Sequence, residues 1–407
     1  MKPQTKIVIL GAGYAGMMAA LRLSGKTRKL NTEITLINGV DTFVERPRLH
    51  QAATGQPIPQ TPIRDMLKGT RIQFRQGWAT AVDPDAHSIV VRTSIGEEII
   101  PYDILVYALG SAVDQDVVPG VQENAYVLDA QGANAAPALL EKLNRLHSGR
   151  IVVVGGGATG IEGAAEIKGW FPRLQVGLVT DGPFGTFKGP RVECHFREAF
   201  AQQGIGIHEG QCVRAVEPGQ LILSNGESLP FDLCLWAGGF RAPSLARETG
   251  FKVNDRGQIL VDIFGRSISH PAVYAIGDAS HPVEEPGNPM RMSLLTAVTR
   301  GAHAADNITA FLRGKAQTPL SFAYYGQGIA MGPNDAVGFL GYPDDQPRGP
   351  ILRGKTAVVV RNFFVAMLFY FLELERRFPG FFYIVGKGRY LRAKQAQQRR
   401  QVSTTLS

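Results

Sequence analysis

Apolar runs, glycine-rich turns and helical stretches alternate along the chain, and the same order occurs twice. In the first copy, residues 7–10 form an apolar run, residues 17–23 have helical character, and residues 34–37 form a second apolar run. Short uninterrupted apolar runs are typical of parallel strands buried on both faces. The pattern therefore predicts a strand–turn–helix–strand unit.

The second copy begins with an apolar run at residues 151–154, followed by another glycine-rich turn. A helix is predicted to continue through residue 167, and an apolar strand follows at residues 176–179. Further apolar strands are predicted at residues 104–108, 233–237 and 273–276. Strands that alternate with helices indicate parallel sheets covered by helices. We therefore expect an α/β fold with two Rossmann-like units.

Both glycine-rich turns have the Gly-x-Gly-x-x-Gly spacing of dinucleotide-binding turns. The first glycine permits a sharp turn, and the second lets the backbone approach a pyrophosphate. The third allows close packing of the helix, whose N-terminal amides then face the phosphates. Both motifs lie between an apolar strand and a helix, the context that supports them. The candidate residues are Gly11, Gly13, Ala15 and Gly16 in the first turn and Gly155, Gly157, Thr159 and Gly160 in the second.

The residues that end the second strand of each unit predict the ribose contacts. An acidic residue about 20 positions after the turn is expected to bind a ribose hydroxyl. The first unit has Asn38, which can hydrogen-bond a hydroxyl without a charge, and the second has Thr180 followed by Asp181. A carboxylate disfavours a 2′-phosphate, so Asp181 favours NADH over NADPH. The alternative is that Asn38 and Asp181 are ordinary loop residues.

Charge and cysteine content narrow the class of protein. The formal net charge is +8, but the segment from Arg348 to the C-terminus alone carries +10. The body of the chain is therefore slightly acidic, which argues against a nucleic-acid-binding core and leaves a basic tail for an acidic partner or anionic lipid. Cys194, Cys212 and Cys234 are widely spaced, so we expect a cytoplasmic protein with each cysteine buried. The eight histidines show no metal-ligand spacing, and we expect no metal site.

A third motif identifies one of the two dinucleotides. An apolar strand runs into Gly277 and Asp278. Together with the glycine turns, it resembles the two-dinucleotide flavoproteins of the pyridine nucleotide–disulfide oxidoreductase superfamily. The resemblance implies a glutathione-reductase-like fold, FAD in one site, and a hydrogen bond from the FAD ribityl chain to Asp278, whose alternative role is a helix cap. It also implies that residues 107–111, with Gly110, and residues 236–240, with Gly238, are crossover strands between domains.

Residues 46–55 narrow the resemblance to type II NADH:quinone oxidoreductases. Their sequence, Arg-Pro-Arg-Leu-His-Gln-Ala-Ala-Thr-Gly, is similar to the segment over the flavin in those enzymes. The resemblance implies that Arg46 and Pro47 contact FAD and that Pro47 and Gln51 take part in catalysis. Disulfide reductases carry a redox-active cysteine pair in this region, whereas no cysteine precedes Cys194 here. A thiol-based disulfide or peroxide reductase is therefore excluded, and a sulfide:quinone reductase is disfavoured.

Two further segments bear on catalysis and on the electron acceptor. Glu162 matches a glutamate that type II enzymes place at the nicotinamide pocket, which implies contact with the nicotinamide or quinone region, or a proton relay. Its alternative role is a carboxylate favoured by the dipole at a helix N-terminus. Glu166, one turn later, is expected to face solvent. Type II enzymes carry Ala-Gln-x-Ala-x-Gln beside the quinone, but residues 294–299 keep only Ala297 and lack both glutamines.

The tail of the chain is aromatic and basic. Residues 363–372 and 381–385 are apolar, and a basic stretch follows at residues 387–400. Ten apolar residues are too few to span a bilayer, but with basic flanks such a segment can lie in the membrane interface. The C-terminal helices of type II enzymes imply the same role. The alternatives are a buried helix that closes the flavin site and a dimer seam.

These observations lead to one prediction of organisation and function. We expect an FAD domain at residues 1–115 and 243–322, an NADH domain at residues 116–242, and a C-terminal region at residues 323–407. The predicted enzyme is an FAD-dependent NADH dehydrogenase that passes a hydride from NADH to FAD and electrons on to a quinone at the inner membrane surface. One alternative is a soluble FAD-dependent NAD(P)H reductase of another acceptor. The other is a flavin-bound, redox-sensing interaction protein, and a homodimer is compatible with each.

Overall fold

Two five-stranded parallel sheets form the centre of the molecule, which confirms the predicted α/β fold. The computed structural model describes residues 3–128, 135–283, 290–322, 324–342 and 345–382. In order across the first sheet, the strands are Val273–Ala275 (β21), Ile104–Tyr107 (β9), Thr5–Leu10 (β1), Thr32–Asn38 (β2) and Ile72–Gln76 (β5). The second sheet has the order Tyr126–Val127 (β11), Leu233–Trp236 (β18), Arg150–Val154 (β12), Gln175–Thr180 (β13) and Gly206–Glu209 (β14).

The two sheets repeat the same arrangement around the strand that precedes each glycine turn. In the first sheet Leu10 of β1 lies opposite Ile37 of β2, and in the second Val154 of β12 lies opposite Val179 of β13. These central strands are almost wholly buried, as their uninterrupted apolar sequence requires. The register therefore brings the end of each second strand beside its glycine turn, where a ribose-binding residue is expected.

Short antiparallel strands connect and flank the two units. Ala112–Val113 (β10) pairs with Phe240–Arg241 (β19), so the chain segments predicted to cross between units meet directly after residues 107–111 and 236–240. The other two-stranded pairs are Thr42–Phe43 (β3) with Thr61–Pro62 (β4) and Ile259–Val261 (β20) with Ser280–Pro282 (β22). The three-stranded sheets are Trp78–Asp83 (β6), Ser88–Thr93 (β7) and Gly96–Pro101 (β8); Val213–Glu217 (β15), Gln220–Leu223 (β16) and Ser228–Pro230 (β17); and Gly326–Ala330 (β23), Ala336–Gly341 (β24) and Pro347–Leu352 (β25).

Helices cover the sheets, and both glycine-turn helices start directly at the turn. The helices are Tyr14–Lys26 (α1), Leu49–Ala52 (α2), Ile63–Met66 (α3), Val121–Asn124 (α4), Ala135–Arg145 (α5), Ala158–Trp170 (α6), Pro190–Gln203 (α7), Leu245–Glu248 (α8), Leu294–Leu312 (α9) and Gly354–Arg377 (α10). α1 packs closely on α9, because a side chain on Gly301 would place its Cβ 2.3 Å from the carbonyl oxygen of Ala15. The short 3₁₀ turns are Arg46–Arg48, Thr186–Lys188 and Gly277–Ala279.

The C-terminal helix α10 is longer than the predicted apolar block and has two different faces. Its inner face is buried through Ala357, Arg361, Leu372 and Glu375, and it packs on α1 and on the β23–β24 hairpin. Its outer face leaves large apolar side chains exposed, among them Phe363. By length and composition alone, α10 could cross a membrane, which the count of uninterrupted apolar residues missed. The predicted basic stretch at residues 387–400 and residues 383–385 lie outside the described residues.

A buried ion pair ties the end of α10 to the first unit. Arg22 of α1 is fully buried and donates from Nε to Glu375 Oε1 (2.7 Å) and from Nη2 to Glu375 Oε2 (3.0 Å). Glu375 also accepts hydrogen bonds from the backbone amides of Gly380 and Phe382. The C-terminal helix is therefore part of the folded body through this contact.

Three expectations about single residues are wrong. Cys194 and Cys212 are exposed rather than buried, and only Cys234 lies in the core. Cys194 faces outward from α7, so its side chain is exposed although cysteine is usually a buried residue. Glu166 is 2% exposed rather than solvated, because α6 turns this position toward the loop after α2.

The Arg22–Glu375 pair gives a prediction for stability. Glu375→Gln should lower the free energy of unfolding by about 3 kcal/mol, because it removes the buried carboxylate that pairs with Arg22 and leaves the guanidinium with Asp306, a partly exposed carboxylate at 3.2 Å. Glu373→Gln is the matched control: it removes partly exposed pairs with Arg376 and Arg377 and should cost less than about 1 kcal/mol. Denaturant unfolding measures both changes, and equal losses in the two variants would contradict the assignment.

Candidate functional site

One cavity of about 480 Å³ joins the first glycine turn to the glycine-turn helix of the second unit. Its walls contain residues from β1, β2, α6, α9 and the loop that leads into α2. The cavity therefore brings together most of the predicted FAD residues with two of the predicted NADH residues. The predicted residues that line it are Gly11, Gly13, Ala15, Asn38, Arg46, Pro47, Gly110, Asp278 and Ala297 from the first set and Thr159 and Glu162 from the second.

The three glycines of the first turn have different physical roles. Gly11 adopts φ +98°, and a Cβ there would lie 2.4 Å from the carbonyl oxygen of Ala108. A Cβ on Gly16 would lie 1.8 Å from the carbonyl oxygen of Gly11, so this glycine lets α1 pack against its own turn. At Gly13 a Cβ would meet nothing within 4 Å. The open space at Gly13, at the N-terminus of α1, fits the approach of a pyrophosphate.

The second glycine turn has the same construction. A Cβ on Gly160 would lie 1.9 Å from the carbonyl oxygen of Gly155, which adopts φ +123°, whereas a Cβ on Gly157 would meet nothing within 4 Å. The backbone nitrogen of Gly238 lies close to Gly155, so the end of β18 forms one side of this turn. None of these four glycines, Gly155, Gly157, Gly160 and Gly238, is among the residues that line the 480 Å³ cavity. They form a separate candidate site at the N-terminus of α6.

The two predicted ribose residues make different contacts. Asn38 Oδ1 accepts a hydrogen bond from the backbone amide of Ala12 (2.9 Å), and its Nδ2 donates to the carbonyl oxygen of Val40 (2.9 Å). The amide of Asn38 therefore holds the glycine turn against the end of β2, a role that needs no charge. Asp181 follows β13, is exposed, and accepts a hydrogen bond from the backbone of Gly182 (2.8 Å).

Asp278 lies at the centre of a small polar network on the cavity wall. Ser111 Oγ donates to Asp278 Oδ2 (2.8 Å), and Arg46 Nη1 donates to the carbonyl oxygen of Ser111 (2.8 Å) and lies 3.8 Å from Asp278 Oδ2. Burial raises the pKa of Asp278 above its ordinary value, and Arg46 opposes that rise. The other oxygen, Oδ1, is buried and makes no hydrogen bond within the described residues. A buried acceptor that faces a cavity in this way fits a ligand hydroxyl such as those of the FAD ribityl chain.

The segment from residue 46 to residue 55 lies between the two units. Its helix α2 packs on α5 and α6, and Ala53 belongs to the core of the second unit. Pro47 lines the cavity and its carbonyl oxygen accepts a hydrogen bond from Arg361 (3.4 Å). Gln51 is buried beside the cavity rather than among its lining residues, and its Oε1 accepts a hydrogen bond from Arg48 (2.9 Å).

Glu162 is bound by a residue that the sequence interpretation missed. Arg361 of α10 donates from Nη2 to Glu162 Oε1 (2.8 Å), which also accepts from the backbone amide of Ala330 (3.0 Å). The same Nη2 lies 3.2 Å from His50 Nε2, and His50 Nδ1 lies 3.9 Å from Glu162 Oε2. α10 therefore places a cation beside Glu162, which lines the cavity. The spacing of Arg361 from Leu372 and Glu375 on the inner face was the only signal for it in the sequence.

The charges in this cluster follow from burial and pairing. Burial opposes the ionisation of Glu162, but Arg361 and His50 lower its pKa below the ordinary value, so the carboxylate is charged at neutral pH. Burial lowers the pKa of His50 to about 4, so the imidazole is neutral. Because a guanidinium only donates, Nε2 of His50 must be the acceptor and Nδ1 must carry the proton, on the side of Glu162. Because His50 is neutral, protonation of Glu162 would remove the counter-charge of Arg361, so the ion pair favours the ionised carboxylate.

Two glycine turns of this construction, and an aspartate on the wall of a cavity that extends from the first turn to α6, are typical of an oxidoreductase that uses two dinucleotides. Residues 5–301 match the model of the pyridine nucleotide-disulphide oxidoreductase family, and the chain belongs to this family. It is an NADH-dependent flavoprotein oxidoreductase with FAD and NADH as cofactors, as the sequence predicted.

Similar proteins cover most of the chain. An NADH dehydrogenase-like protein of Mycobacterium tuberculosis is 28% identical over 88% of this chain and 92% of its own length. A type II NADH:quinone oxidoreductase of Staphylococcus aureus is 27% identical over 82% of this chain and 89% of its own length. The sulfide:quinone oxidoreductase structure of Aquifex aeolicus superposes with a TM-score of 0.76 at 21% identity, covering 93% of each chain. At 21% sequence identity, this structural similarity shows that the two chains share a fold.

The Asp278 network gives a prediction for flavin binding. Asp278→Ala should weaken FAD binding at least tenfold, equivalent to about 1.4 kcal/mol, because the buried acceptor that faces the cavity is lost. Ser111→Ala is the matched control, since it removes one internal hydrogen bond and keeps the carboxylate. Titration of the apoprotein with FAD, followed by flavin fluorescence, measures both affinities. Equal affinity in the Asp278 variant and the wild type would exclude this carboxylate from the flavin site.

Proposed function

We propose that the chain is an NADH:quinone oxidoreductase of the type II class. The observation that carries the proposal is the single cavity in which Glu162, on the second unit, stands opposite the first glycine turn. Hydride transfer between two bound cofactors requires that their sites open into one space. The similarity to a protein named type II NADH:quinone oxidoreductase supports a quinone as the acceptor.

The proposed roles of the site residues follow their positions. Asp278 and the first turn would hold FAD, and the second turn would hold NADH with Asp181 near its ribose. Glu162 is the proposed catalytic residue, with Pro47 on the cavity wall and Gln51 holding Arg48 in place. The FAD set is Gly11, Gly13, Ala15, Gly16, Asn38, Arg46, Pro47, Gly110, Asp278 and Ala297, and the NADH set is Gly155, Gly157, Thr159, Gly160, Glu162, Asp181 and Gly238.

The chain contributes placement and charge to the reaction. When bound, the two cofactors supply the transfer of a hydride and of electrons. Arg361 keeps Glu162 ionised, so this carboxylate can accept a proton at Oε1 or Oε2. The two donors on Oε1, Arg361 and the Ala330 amide, leave Oε2 as the oxygen that faces His50.

A second candidate function is a reductase of another acceptor, and the start of α9 favours it. The two glutamines of the type II signature are replaced here by Leu295 and Thr299. The residues of this segment that line the cavity are Met292, Ser293, Leu294 and Ala297. This largely apolar wall suits a small hydrophobic acceptor and offers no glutamine side chain to hydrogen-bond a quinone oxygen.

We propose that the outer face of α10 lies against a membrane surface. Val359, Phe363 and Tyr370 are spaced along one side of the helix and are 57–68% exposed. An exposed apolar stripe with basic neighbours is typical of interfacial helices. Crossing the bilayer would require Arg361 and Glu375 to leave their buried partners, so an orientation parallel to the surface fits this helix better.

Anaerobic mixing tests the proposed acceptor. NADH should bleach the flavin absorbance, and a soluble quinone added next should restore it within the turnover time of the enzyme. Reduction by NADH followed by no reoxidation with any quinone would reject the quinone and favour the second candidate. Ferricyanide, which takes electrons alone, serves as the control that the reduced protein is competent.

Vesicle binding tests the membrane surface. Replacing Val359, Phe363 and Tyr370 by serine should weaken binding to anionic vesicles at least tenfold, because each large apolar side chain contributes about 1.5–3 kcal/mol when fully buried. The control replaces Ile95 and Ile99, which are also exposed but lie on the β7–β8 hairpin. Sedimentation with vesicles measures binding, and equal binding by all three proteins would count against an α10 interface.

A further inference from the structure

Glu166 is a buried carboxylic acid that the proposed reaction has not used. It lies on α6 and is 2% exposed. Its Oε2 accepts hydrogen bonds from Trp170 Nε1 (3.0 Å) and from Gln56 Nε2 (3.0 Å). Both donors are neutral, and Glu166 makes no ion pair within 4 Å among the described residues. A buried carboxyl group held only by neutral donors favours the protonated form.

The charges around Glu166 come from α6 and α10. Arg361 is the nearest cation, but its charge is already paired with Glu162 at 2.8 Å, and His50 beyond it is neutral. A second carboxylate charge in this cluster would therefore have to share Arg361 with Glu162. Burial raises the pKa of Glu166 to about 7. The hydrogen bonds from Trp170 and Gln56 and the charge of Arg361 oppose that rise, whereas the negative charge of Glu162 adds to it.

The position of Glu166 links the cavity with solvent. Glu162, Glu166 and Trp170 follow one another at four-residue intervals on α6 and so share one face, with about 5–6 Å between neighbouring Cβ atoms. Glu162 lines the cavity, and Trp170 at the other end is 48% exposed. A proton held at Glu166 is thus one helical turn from the cavity and one from solvent.

The proposed reaction needs one proton more than NADH supplies. Reduction of a quinone to a quinol takes up two electrons and two protons. The hydride from NADH carries both electrons and one proton, and the second proton comes from the medium. A group that holds a proton at neutral pH beside the cavity can provide it at the moment of transfer.

We propose that Glu166 stores this second proton and delivers it through Glu162 to the acceptor. The O–H bond of Glu166 breaks, the carboxylate of Glu162 takes the proton and passes it to the acceptor oxygen, and Glu166 regains a proton from solvent at the Trp170 end of α6. Glu166 acts through Glu162 and touches neither cofactor nor acceptor. The inference rests on the proposed function, since it requires an acceptor that takes up protons.

Glu166→Gln tests the delivery step, because glutamine keeps the size and accepts the same hydrogen bonds but carries no transferable acid proton. Reoxidation of the reduced enzyme by a quinone should slow at least tenfold and lose its inflection near pH 7. Flavin reduction by NADH and reoxidation by ferricyanide, which takes up no proton, should change less than twofold. An equal slowing with quinone and ferricyanide, or an unchanged pH profile with quinone, would overturn the proposal.

Infrared spectroscopy tests the stored proton without turnover. The wild type, with or without FAD, should show a carboxylic acid C=O band that disappears on titration with a midpoint near pH 7, and Glu166→Gln should lack it. Trp170→Phe should move the midpoint to higher pH, because it removes a donor that stabilises the ionised form. Glu373→Gln, which removes a carboxylate whose pKa is lowered by Arg376, should leave the band unchanged. Absence of the band in the wild type would overturn the proton store even if quinones are reduced, whereas a band without quinone reduction would leave the store in place and reject the quinone.

Discussion

The ion pair between Arg361 and Glu162 is the contact on which the arrangement of the site depends. It joins α10 to the glycine-turn helix of the second unit, and the same guanidinium reaches His50 and the carbonyl oxygen of Pro47 in the segment between the units. The side chain of Glu162 is only 14% exposed, and burial without a cation beside it would favour the protonated carboxyl group. The charge state of the cavity wall is therefore set by a helix that lies outside both dinucleotide-binding units.

The two glycine turns do the same physical task with different supporting residues. In both, the third glycine lets the helix approach the carbonyl oxygen of the first, and the middle glycine leaves open space at a helix N-terminus. The first turn is held by the neutral amide of Asn38, whereas the second is followed by the exposed carboxylate of Asp181. Since the redox chemistry belongs to the cofactors, the chain acts by placing them and by fixing charges between them.

The sequence predicted the features that depend on local pattern. Buried parallel strands, glycine turns and the aspartate after β21 follow from short-range spacing, and so the fold and most of the cavity lining were accessible. Arg361 and Glu166 were not, because their roles depend on which face of a helix meets another element far away in the chain. For α10, the count of apolar residues did not show that the helix has an inner face, on which Arg361 is buried and pairs with Glu162. Glu166 was expected on the surface because its position, one helical turn after Glu162, does not indicate which segment packs against it.

A double-mutant cycle on Arg361 and Glu162 tests the central claim most directly. The free energy of unfolding is measured for Arg361→Met, Glu162→Gln, the double variant and the wild type. If the pair fixes the charge of the cavity wall, the two single changes should be strongly non-additive, with a coupling energy of about 1–3 kcal/mol. Additivity within about 0.5 kcal/mol would contradict the account, because it would mean that α10 and the glycine-turn helix do not depend on each other through this contact.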